Sequence, residues 1–363
     1  MNRIRTCLVD QAQTSEQQSA RRIILSGTVQ GVGFRPFIYR LAIKHQLVGW
    51  VKNCLGTVEI LVQGQARNIE LFVSDIFDNS PLLAKPKLES DEPVNIAELE
   101  SFSILQSEVN AIANNSVPTD LFLCDDCLAE LNDPTNRRYQ YPFINCTQCG
   151  PRYTLIKKLP YVRANTTMAD FGMCADCLAE YSDPSDRRFH AEPIACAQCG
   201  PSLSFKDVSG KTFNNSNLSY IVKVISDGGV VAVKGIGGYH LMCDASSDDA
   251  VSRLRDKKQR PRKPLAVMFP APVDNPFAIA EKALMLSDSD KRFLLQAARP
   301  VLMVKKVAVD GSLAEQLSES IAPGLNEVGI MLPYSPLHHL LLDKFSGPLV
   351  ATSANISGEP VLT

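Results

Sequence analysis

Residues 124–151, CDDCLAELNDPTNRRYQYPFINCTQCGP, and residues 174–201, CADCLAEYSDPSDRRFHAEPIACAQCGP, are two near-copies of one segment. Each copy contains two C-x-x-C pairs, and eighteen residues separate the first pair from the second. This is the spacing of a four-thiolate zinc site, in which two pairs of soft ligands complete a tetrahedron. The sequence therefore predicts two Zn²⁺ ions, with the ligands Cys124, Cys127, Cys146, Cys149, Cys174, Cys177, Cys196 and Cys199.

The spacing leaves two ways of sharing these thiolates. Sequential pairing gives each copy its own zinc ion, and crossed pairing joins one C-x-x-C of each copy. Sequential pairing is the simpler expectation. His190 lies inside the second copy, where it would be superfluous as a ligand beside four thiolates.

Basic residues inside both copies are interleaved with acidic ones. Such a pattern is typical of a solvated face and not of a track for phosphates. We therefore expect no specific nucleic-acid partner, and we expect solvent exposure for the four arginines Arg137, Arg138, Arg187 and Arg188.

Composition limits the class of protein. The chain has 363 residues, which favours two or three domains, and its hydrophobic share of 45% and charged share of 21% are ordinary for a globular protein. A net charge of −2 gives no general attraction to nucleic acid. The sequence has no apolar run of the ~20 residues that a membrane span needs. Its first residues also lack the apolar core of a secretory signal, so we expect a cytoplasmic location in which reduced cysteines bind metal.

The sequence divides into four segments. Residues 1–20 are polar and are expected to be disordered. Residues 21–110 follow the order β-α-β-β-α-β of a ferredoxin-like α+β domain, with a closing strand in SFSILQSE (residues 101–108). Residues 111–210 hold the zinc module and lack long apolar periodicity, so bound metal should supply much of their folding free energy. In residues 211–363 helices alternate with apolar strands, as in an α/β domain.

A first candidate site follows the first strand. The stretch GTVQGVGFR (residues 27–35) is a glycine-rich loop that leads into a helix at about Pro36. Glycines allow successive backbone N–H groups to point at one anion, and the N-terminus of a helix adds positive potential. The alternative is a tight turn with a surface arginine. The pattern predicts a phosphate-binding loop with Arg35 as a bidentate clamp, and the loop residues are Gln30, Gly31, Val32, Gly33 and Phe34.

Residues 21–110 resemble the acylphosphatase family, both in this loop and in WVKN (residues 50–53) followed by GTVE (residues 56–59). The resemblance implies that Arg35 binds a phosphoryl group and that Asn53 orients the attacking water. Hydrolysis of an acyl phosphate requires mainly positioning and charge stabilisation.

A second candidate site lies in the α/β segment. Seven basic residues crowd positions 253–263 and lead into the strand PLAVMF. Two further polar loops, in VAVKGIGGYH (residues 231–240) and ATSANISGEP (residues 351–360), each come directly after an apolar strand. Three such loops indicate one crevice, and its cations suit a nucleoside triphosphate.

These segments resemble the YrdC family, which makes carbamoyl-type adenylates from ATP. The matching elements are KQRP (residues 258–261), KPL (residues 263–265) and TSAN (residues 352–355). KGIGGYHLMCDA (residues 234–245) stands where the tRNA-modifying members carry a Pro-Thr-Asp/Glu-Thr type loop, which argues against threonine as the carbamoyl acceptor. The resemblance implies ATP with Mg²⁺ as a substrate, and it assigns the nucleotide and acyl group to Lys258, Arg260, Lys263, Thr352, Ser353 and Asn355.

The order of the three modules resembles the HypF family of carbamoyltransferases, which act in nickel–iron hydrogenase maturation. The resemblance implies that carbamoyl phosphate is hydrolysed to carbamate, and that carbamate and ATP form carbamoyl adenylate. The carbamoyl group then passes to the C-terminal cysteine of a HypE-like acceptor and becomes a cyanide ligand of the hydrogenase iron. Members of the family carry a further C-terminal transfer domain, so we expect a truncated chain and an incomplete YrdC-like segment.

Two other functions remain open. A threonylcarbamoyl-adenylate synthase for tRNA modification would have no need of the acylphosphatase-like and zinc modules. A non-catalytic, zinc-dependent interaction protein would tolerate the loss of Arg35 and Asn53, yet both residues are present.

Overall fold

The fold was analysed in a computed structural model, which describes residues 18–54, 56–81, 83–105, 119–158, 161–213, 218–296, 298–307, 312–355 and 359. Residues 1–17 of the predicted disordered extension lie outside the described residues, whereas residues 18–20 belong to the first strand. Within the described residues, none of the helices has the length and the apolar character that crossing a membrane requires.

The chain divides into two compact units. The first unit comprises Met1–Thr119, Cys146–Gln148 and Leu155–Ile194. The second unit comprises Asp120–Asn145, Cys149–Thr154 and Ala195–Thr363. Most of the second cysteine-rich copy therefore belongs to the same unit as the N-terminal α+β domain.

The first unit contains a five-stranded sheet with two helices packed on it. Its core is built from alternate apolar residues of the strands, among them Ile23, Val51 and Ile60, and from the apolar faces of the helices. The strand order is β4-β1-β3-β2-β5. The elements are β1 (Gln18–Thr28), α1 (Phe34–Lys44), β2 (Val48–Asn53), β3 (Val58–Gln65), α2 (Ala66–Asp78), β4 (Lys85–Pro93) and β5 (Phe102–Ile104).

The predicted order of elements is correct, and the strand predicted in SFSILQSE is present as β5, but it is not the strand that completes this order. The strand that completes the β-α-β-β-α-β order is β4, which pairs with β1, and β5 is an added edge strand parallel to β2. The sequence of β4, KPKLESDEP, lies at the edge of the sheet and is largely exposed or half-buried. It therefore lacks the apolar alternation by which strands are recognised.

The two cysteine-rich copies fold in the same way. Each has a short helix that begins after the first cysteine, α3 (Asp125–Asn132) in the first copy and α4 (Ala175–Ser182) in the second. Gln140 donates its backbone N–H to the Leu131 carbonyl at 2.9 Å, and His190 makes the equivalent bond to Tyr181 at 3.0 Å. Both donors have a left-handed backbone, with φ of 51° and 52°. Short 3₁₀ helices at Tyr153–Leu155, Arg163–Asn165 and Thr167–Asp170 connect the copies.

The expectation of a solvated arginine face is wrong for one arginine in each copy. Arg138 and Arg188 are 1% and 3% exposed, whereas Arg137 is exposed as expected. The Arg138 Nε donates to the Ala195 carbonyl at 2.9 Å. A module with little apolar core can bury a planar guanidinium because backbone carbonyls satisfy its donors.

The second unit contains a six-stranded mixed sheet of order β11-β12-β10-β13-β9-β8. Strand β10 is parallel to β12, and the other neighbouring strands are antiparallel. The core lies between this sheet and its helices and includes Leu254, Phe269 and Val350. The elements are β6 (Phe205–Lys206), β7 (Thr212–Phe213), α5 (Ser219–Ser226), β8 (Val231–Gly235), β9 (Gly238–Asp244), α6 (Asp248–Lys258), β10 (Ala266–Met268), α7 (Asp288–Leu294), β11 (Leu302–Lys305), α8 (Leu313–Gln316), β12 (Glu327–Met331), α9 (Pro336–Phe345) and β13 (Leu349–Ser353), with 3₁₀ turns at Ala280–Lys282 and Glu319–Ile321.

Candidate metal sites and active sites

The eight predicted zinc ligands form two clusters. Within each cluster the four sulfur atoms lie within 4.8 Å of one another, and the Cys196 and Cys199 sulfurs are 3.7 Å apart. A tetrahedron with Zn–S bonds of about 2.3 Å has an edge of about 3.8 Å, so the clusters fit one Zn²⁺ each. The clusters are Cys124, Cys127, Cys146 and Cys149, and Cys174, Cys177, Cys196 and Cys199. Sequential pairing is therefore confirmed, and crossed pairing is wrong.

The first candidate site lies at one edge of the N-terminal sheet. Strands β1 and β2 are both antiparallel to β3, so they run parallel to each other. Leu25 near the end of β1 and Asn53 at the end of β2 both pair with Val58. The loop that follows β1 and the Asn53 carboxamide therefore emerge at the same edge of the sheet.

The loop has the backbone of an anion-binding turn. Gly31 and Gly33 have φ of 71° and 70°, and Gly33 is the N-cap of α1. Among the described residues, none accepts a hydrogen bond from the backbone N–H groups of residues 30–33. The Gln30 side chain donates to the carbonyls of Cys54 and Thr57, at 2.9 and 3.0 Å, and so ties the loop to the turn after Asn53. Free amides at a helix N-terminus are a site for phosphate.

The two predicted catalytic side chains are both at least half-buried, and one of them has an unsatisfied polar atom. The Asn53 Oδ1 is buried and accepts no hydrogen bond from the described part of the chain. Arg35 is half-buried, and its burial lowers the pKa of the guanidinium. The structure thus places a cation and an open carboxamide at the loop, which is the donor and acceptor set that a phosphoryl group and an attacking water require.

The cysteine-rich module also reaches this loop. A Cβ atom on Gly33 would lie 2.7 Å from Thr147 Oγ1, and Thr147 donates to the Arg187 carbonyl at 2.9 Å. Glu192 and Tyr181 of the second copy act on Arg35 electrostatically, and both oppose the lowering of its pKa by burial. The sequence reasoning missed these residues, although a comparison of the two copies could have found them, because the first copy has Leu131 and Pro142 at the equivalent positions.

The second candidate site joins two of the predicted loops of the YrdC-like segment. The Lys258 ammonium, at the end of α6, donates to the Ser353 carbonyl and to the Asn355 carbonyl at 2.9 Å. The Ser353 hydroxyl donates to Asn355 Oδ1 at 2.5 Å. Ser353 pairs with His240 across β13 and β9, so the turn between β8 and β9 lies at the same sheet edge.

The basic run divides into two roles. Arg255 is 6% exposed, and its guanidinium donates to the carbonyls of Arg260, Lys263, Ser320 and Ile321. Arg255 therefore fixes the backbone of the loop at residues 260–263. Because it is buried, it is not available to a ligand. Burial lowers the pKa of Lys258, and the neighbouring charges of Arg260 and Lys263 lower it further. Lys258 thus has two cations near it, and a group of positive charges of this kind favours a bound polyanion.

Thr352 lies next to Ser353 in β13 and is 7% exposed. Adjacent side chains of a strand point to opposite faces of the sheet, so the Thr352 side chain lies on the face opposite to that of Ser353. Its role in nucleotide binding stays a prediction.

His240 belongs to an aromatic cluster, partly buried, that the sequence reasoning did not identify. Its ring centroid lies 5.9 Å from that of Tyr334 and 5.5 Å from that of His338. His338 is fully buried, its Nε2 has no hydrogen-bond partner among the described residues, and burial lowers its pKa to about 3. The cluster is neutral at physiological pH and adjoins Ser353. In the sequence, the feature that could have drawn attention to this cluster is GGYH (residues 237–240).

Comparisons with known proteins agree with this architecture. The sequence model of the acylphosphatase family matches residues 21–104, that of the HypF finger matches residues 123–156 and 173–205, and the Sua5/YciO/YrdC model, described as telomere recombination, matches residues 223–363. The carbamoyltransferase HypF2 of Cupriavidus necator is 45% identical over 360 residues, which cover 94% of this chain. The chain belongs to the HypF family.

A second curated relative and a solved structure have similar coverage. The carbamoyltransferase HypF of a Synechocystis species is 46% identical over 93% of the chain. The crystal structure of full-length HypF in the phosphate- and nucleotide-bound form superposes with a TM-score of 0.82 at 40% identity, over 95% of this chain and 44% of the other. The chain spans 43% of the length of both curated relatives.

We predict that Cys177→Ser lowers the zinc content from two ions to one per chain, because three thiolates and a hydroxyl bind Zn²⁺ much more weakly than four thiolates. Elemental analysis of the purified chain measures the ratio. Cys243→Ser is the control, since Cys243 lies in the core of the second unit and away from both clusters. An unchanged zinc content in Cys177→Ser would contradict the assignment.

We predict that Gly33→Ala destabilises the first unit more than Gly56→Ala does. Both glycines have φ of 70°, so each substitution carries backbone strain of about 1–2 kcal/mol. Only at Gly33 does the new methyl group meet Thr147, whereas nothing lies within 4 Å at Gly56. Urea unfolding compares the two variants. Equal losses of stability would show that the loop does not pack on Thr147.

Proposed function

We propose that this chain hydrolyses carbamoyl phosphate and uses ATP to form carbamoyl adenylate, for transfer to the C-terminal cysteine of a HypE-like acceptor. The observation that carries the proposal is the loop of free backbone amides next to Arg35 and Asn53 at one sheet edge. Its place in a HypF-family chain makes carbamoyl phosphate the expected acyl phosphate. Reduced thiolates in both zinc clusters suit the cytoplasm.

In the first step, the loop amides and Arg35 hold the phosphoryl oxygens, and Asn53 Oδ1 accepts a hydrogen bond from the attacking water. The water oxygen bonds to phosphorus as the bond from phosphorus to the carbamoyl oxygen breaks. Carbamate and inorganic phosphate leave. The fixed donors lower the barrier because they are already aimed at the oxygens on which charge accumulates.

In the second step, a carbamate oxygen attacks the α-phosphorus of ATP, and pyrophosphate leaves. Lys258, Arg260 and Lys263 supply the positive charge that the triphosphate, with its Mg²⁺, requires. Lys258 also holds the Ser353–Asn355 loop, which we propose contacts the acyl end of the adenylate. Phosphate and pyrophosphate release from carbamoyl phosphate and ATP tests the complete proposal, with threonine as an alternative substrate. Pyrophosphate release that depends on threonine and not on carbamoyl phosphate would overturn it.

We predict that Arg35→Ala abolishes measurable phosphate binding, and that Asn53→Ala lowers turnover with a smaller effect on binding. Removal of one aligned electrostatic donor typically costs ~10²–10³ in rate. Phosphate release from carbamoyl phosphate gives kcat and KM for each variant. If both variants hydrolyse carbamoyl phosphate as the parent does, the site is elsewhere.

We predict that Lys263→Ala weakens ATP binding and that the loss shrinks as ionic strength rises, because salt screens an exposed charge. Lys263 is exposed and belongs to the group of three cations. Lys257→Ala is the matched control, since Lys257 is an exposed lysine at the end of the same helix. Calorimetric titration with ATP at low and high salt compares them. An equal loss in both variants would argue for a general charge effect.

A further inference from the structure

Glu192, in the second cysteine-rich copy, has one carboxylate oxygen satisfied and the other open. The residue is 7% exposed. Its Oε2 accepts the Arg163 backbone N–H at 2.6 Å and the Tyr181 hydroxyl at 2.9 Å. Among the described residues, none donates a hydrogen bond to Oε1. Unlike the buried Asn53 Oδ1, this oxygen is reached by solvent, so it can accept a hydrogen bond from a ligand.

This carboxylate belongs to the surroundings of the phosphate loop. The contact between Gly33 and Thr147, followed by the hydrogen bond from Thr147 to Arg187, leads from the loop to the segment that contains Glu192. Arg35 favours the ionised form of Glu192 and opposes the rise of its pKa by burial. Along the same helix, Asp186 of the second copy acts on Arg40. Two cations of helix α1, Arg35 and Arg40, are therefore subject to the charges of this copy.

Zinc binding does not explain why the second copy has Tyr181, His190 and Glu192. The two copies share their cysteines at an offset of fifty positions, and they share the backbone bond that closes each loop. They differ at Tyr181, His190 and Glu192, whose equivalents in the first copy are Leu131, Gln140 and Pro142. Both copies form four-sulfur clusters, so the clusters need none of the three side chains. A role at the neighbouring site accounts for the difference.

We propose that Glu192 determines the acyl specificity of the phosphate site, by accepting through Oε1 a hydrogen bond from the –NH₂ group of carbamoyl phosphate. This inference rests on the hydrolysis proposed above. In this proposal the phosphoryl group lies on the loop and Arg35, and the carbamoyl group lies on the side of Glu192. Acetyl phosphate has a methyl group where carbamoyl phosphate has –NH₂, so it leaves the oxygen unpaired. Tyr181 is a positioning residue, because it holds the carboxylate through Oε2.

Glu192→Gln tests the proposal with little change in shape. Arg163 N–H and Tyr181 O–H both need an acceptor, so they hold the carbonyl oxygen of the new amide in the place of Oε2. The amide –NH₂ then faces the substrate, and an acceptor is replaced by a donor. We expect the ratio of kcat/KM for carbamoyl phosphate to that for acetyl phosphate to fall on the order of 10- to 100-fold. We expect acetyl phosphate hydrolysis to fall by a smaller factor than carbamoyl phosphate hydrolysis, because only the amide substrate loses an acceptor.

Glu98→Gln is the matched control, since Glu98 is an exposed glutamate of the same unit, and its ratio should equal that of the parent. Zinc content near two ions per chain reports that the second copy is folded. If Glu192→Gln loses zinc, Tyr181→Phe replaces it as the test variant. Tyr181→Phe keeps the carboxylate but removes one of its hydrogen bonds, so the ratio of kcat/KM for the two substrates should fall by a smaller factor.

The outcomes separate the two proposals. Failure of the parent chain to release phosphate from either substrate would overturn the proposed hydrolysis. Hydrolysis by the parent, together with an unchanged ratio in the folded variant, would overturn the role of Glu192 alone. Equal loss with both substrates would also overturn it, because Glu192 would then act on the phosphoryl end through Arg35.

Discussion

Four thiolates held within 4.8 Å of one another, twice in the chain, are the constraint on which the cysteine-rich module depends. Thiolates at this distance repel each other unless a cation lies among them, so the clusters are stable only with bound metal. The metal replaces much of an apolar core, and the module can therefore bury the guanidinium groups of Arg138 and Arg188. The residues between the cysteines are then free to differ between the copies.

The two copies differ in the polarity of the residues between their cysteines. The first copy places Leu131 and Pro142 where the second has Tyr181 and Glu192. The second copy belongs largely to the unit that contains the acylphosphatase-like sheet, and its polar side chains act on Arg35. A duplicated metal scaffold thus supplies a rigid frame that holds new polar groups at a fixed position, since preorganised groups contribute more to a site than mobile ones do.

Local patterns in the sequence predicted most of the fold and part of the sites. The zinc ligands followed from spacing, and the phosphate loop followed from glycines between a strand and a helix. Strand β4 was missed because an exposed edge strand carries no apolar alternation. The burial of Arg138 was missed because its acceptor, the Ala195 carbonyl, lies 57 positions away. Glu192 and Arg35 likewise come from different modules, and no single motif contains both.

In each candidate site a polar side chain fixes the neighbouring backbone through hydrogen bonds. At the first site this support stands beside Asn53 Oδ1, which accepts no hydrogen bond from the described residues, and leaving such a group unpaired costs stability. Gln30 ties the phosphate loop to the turn after Asn53. At the second site, Arg255 fixes the loop that follows α6 by donating hydrogen bonds to four backbone carbonyls. Because Arg255 is only 6% exposed, its guanidinium is not available for direct contact with a ligand, and the seven basic residues at positions 253–263 overstate the cationic surface of this segment.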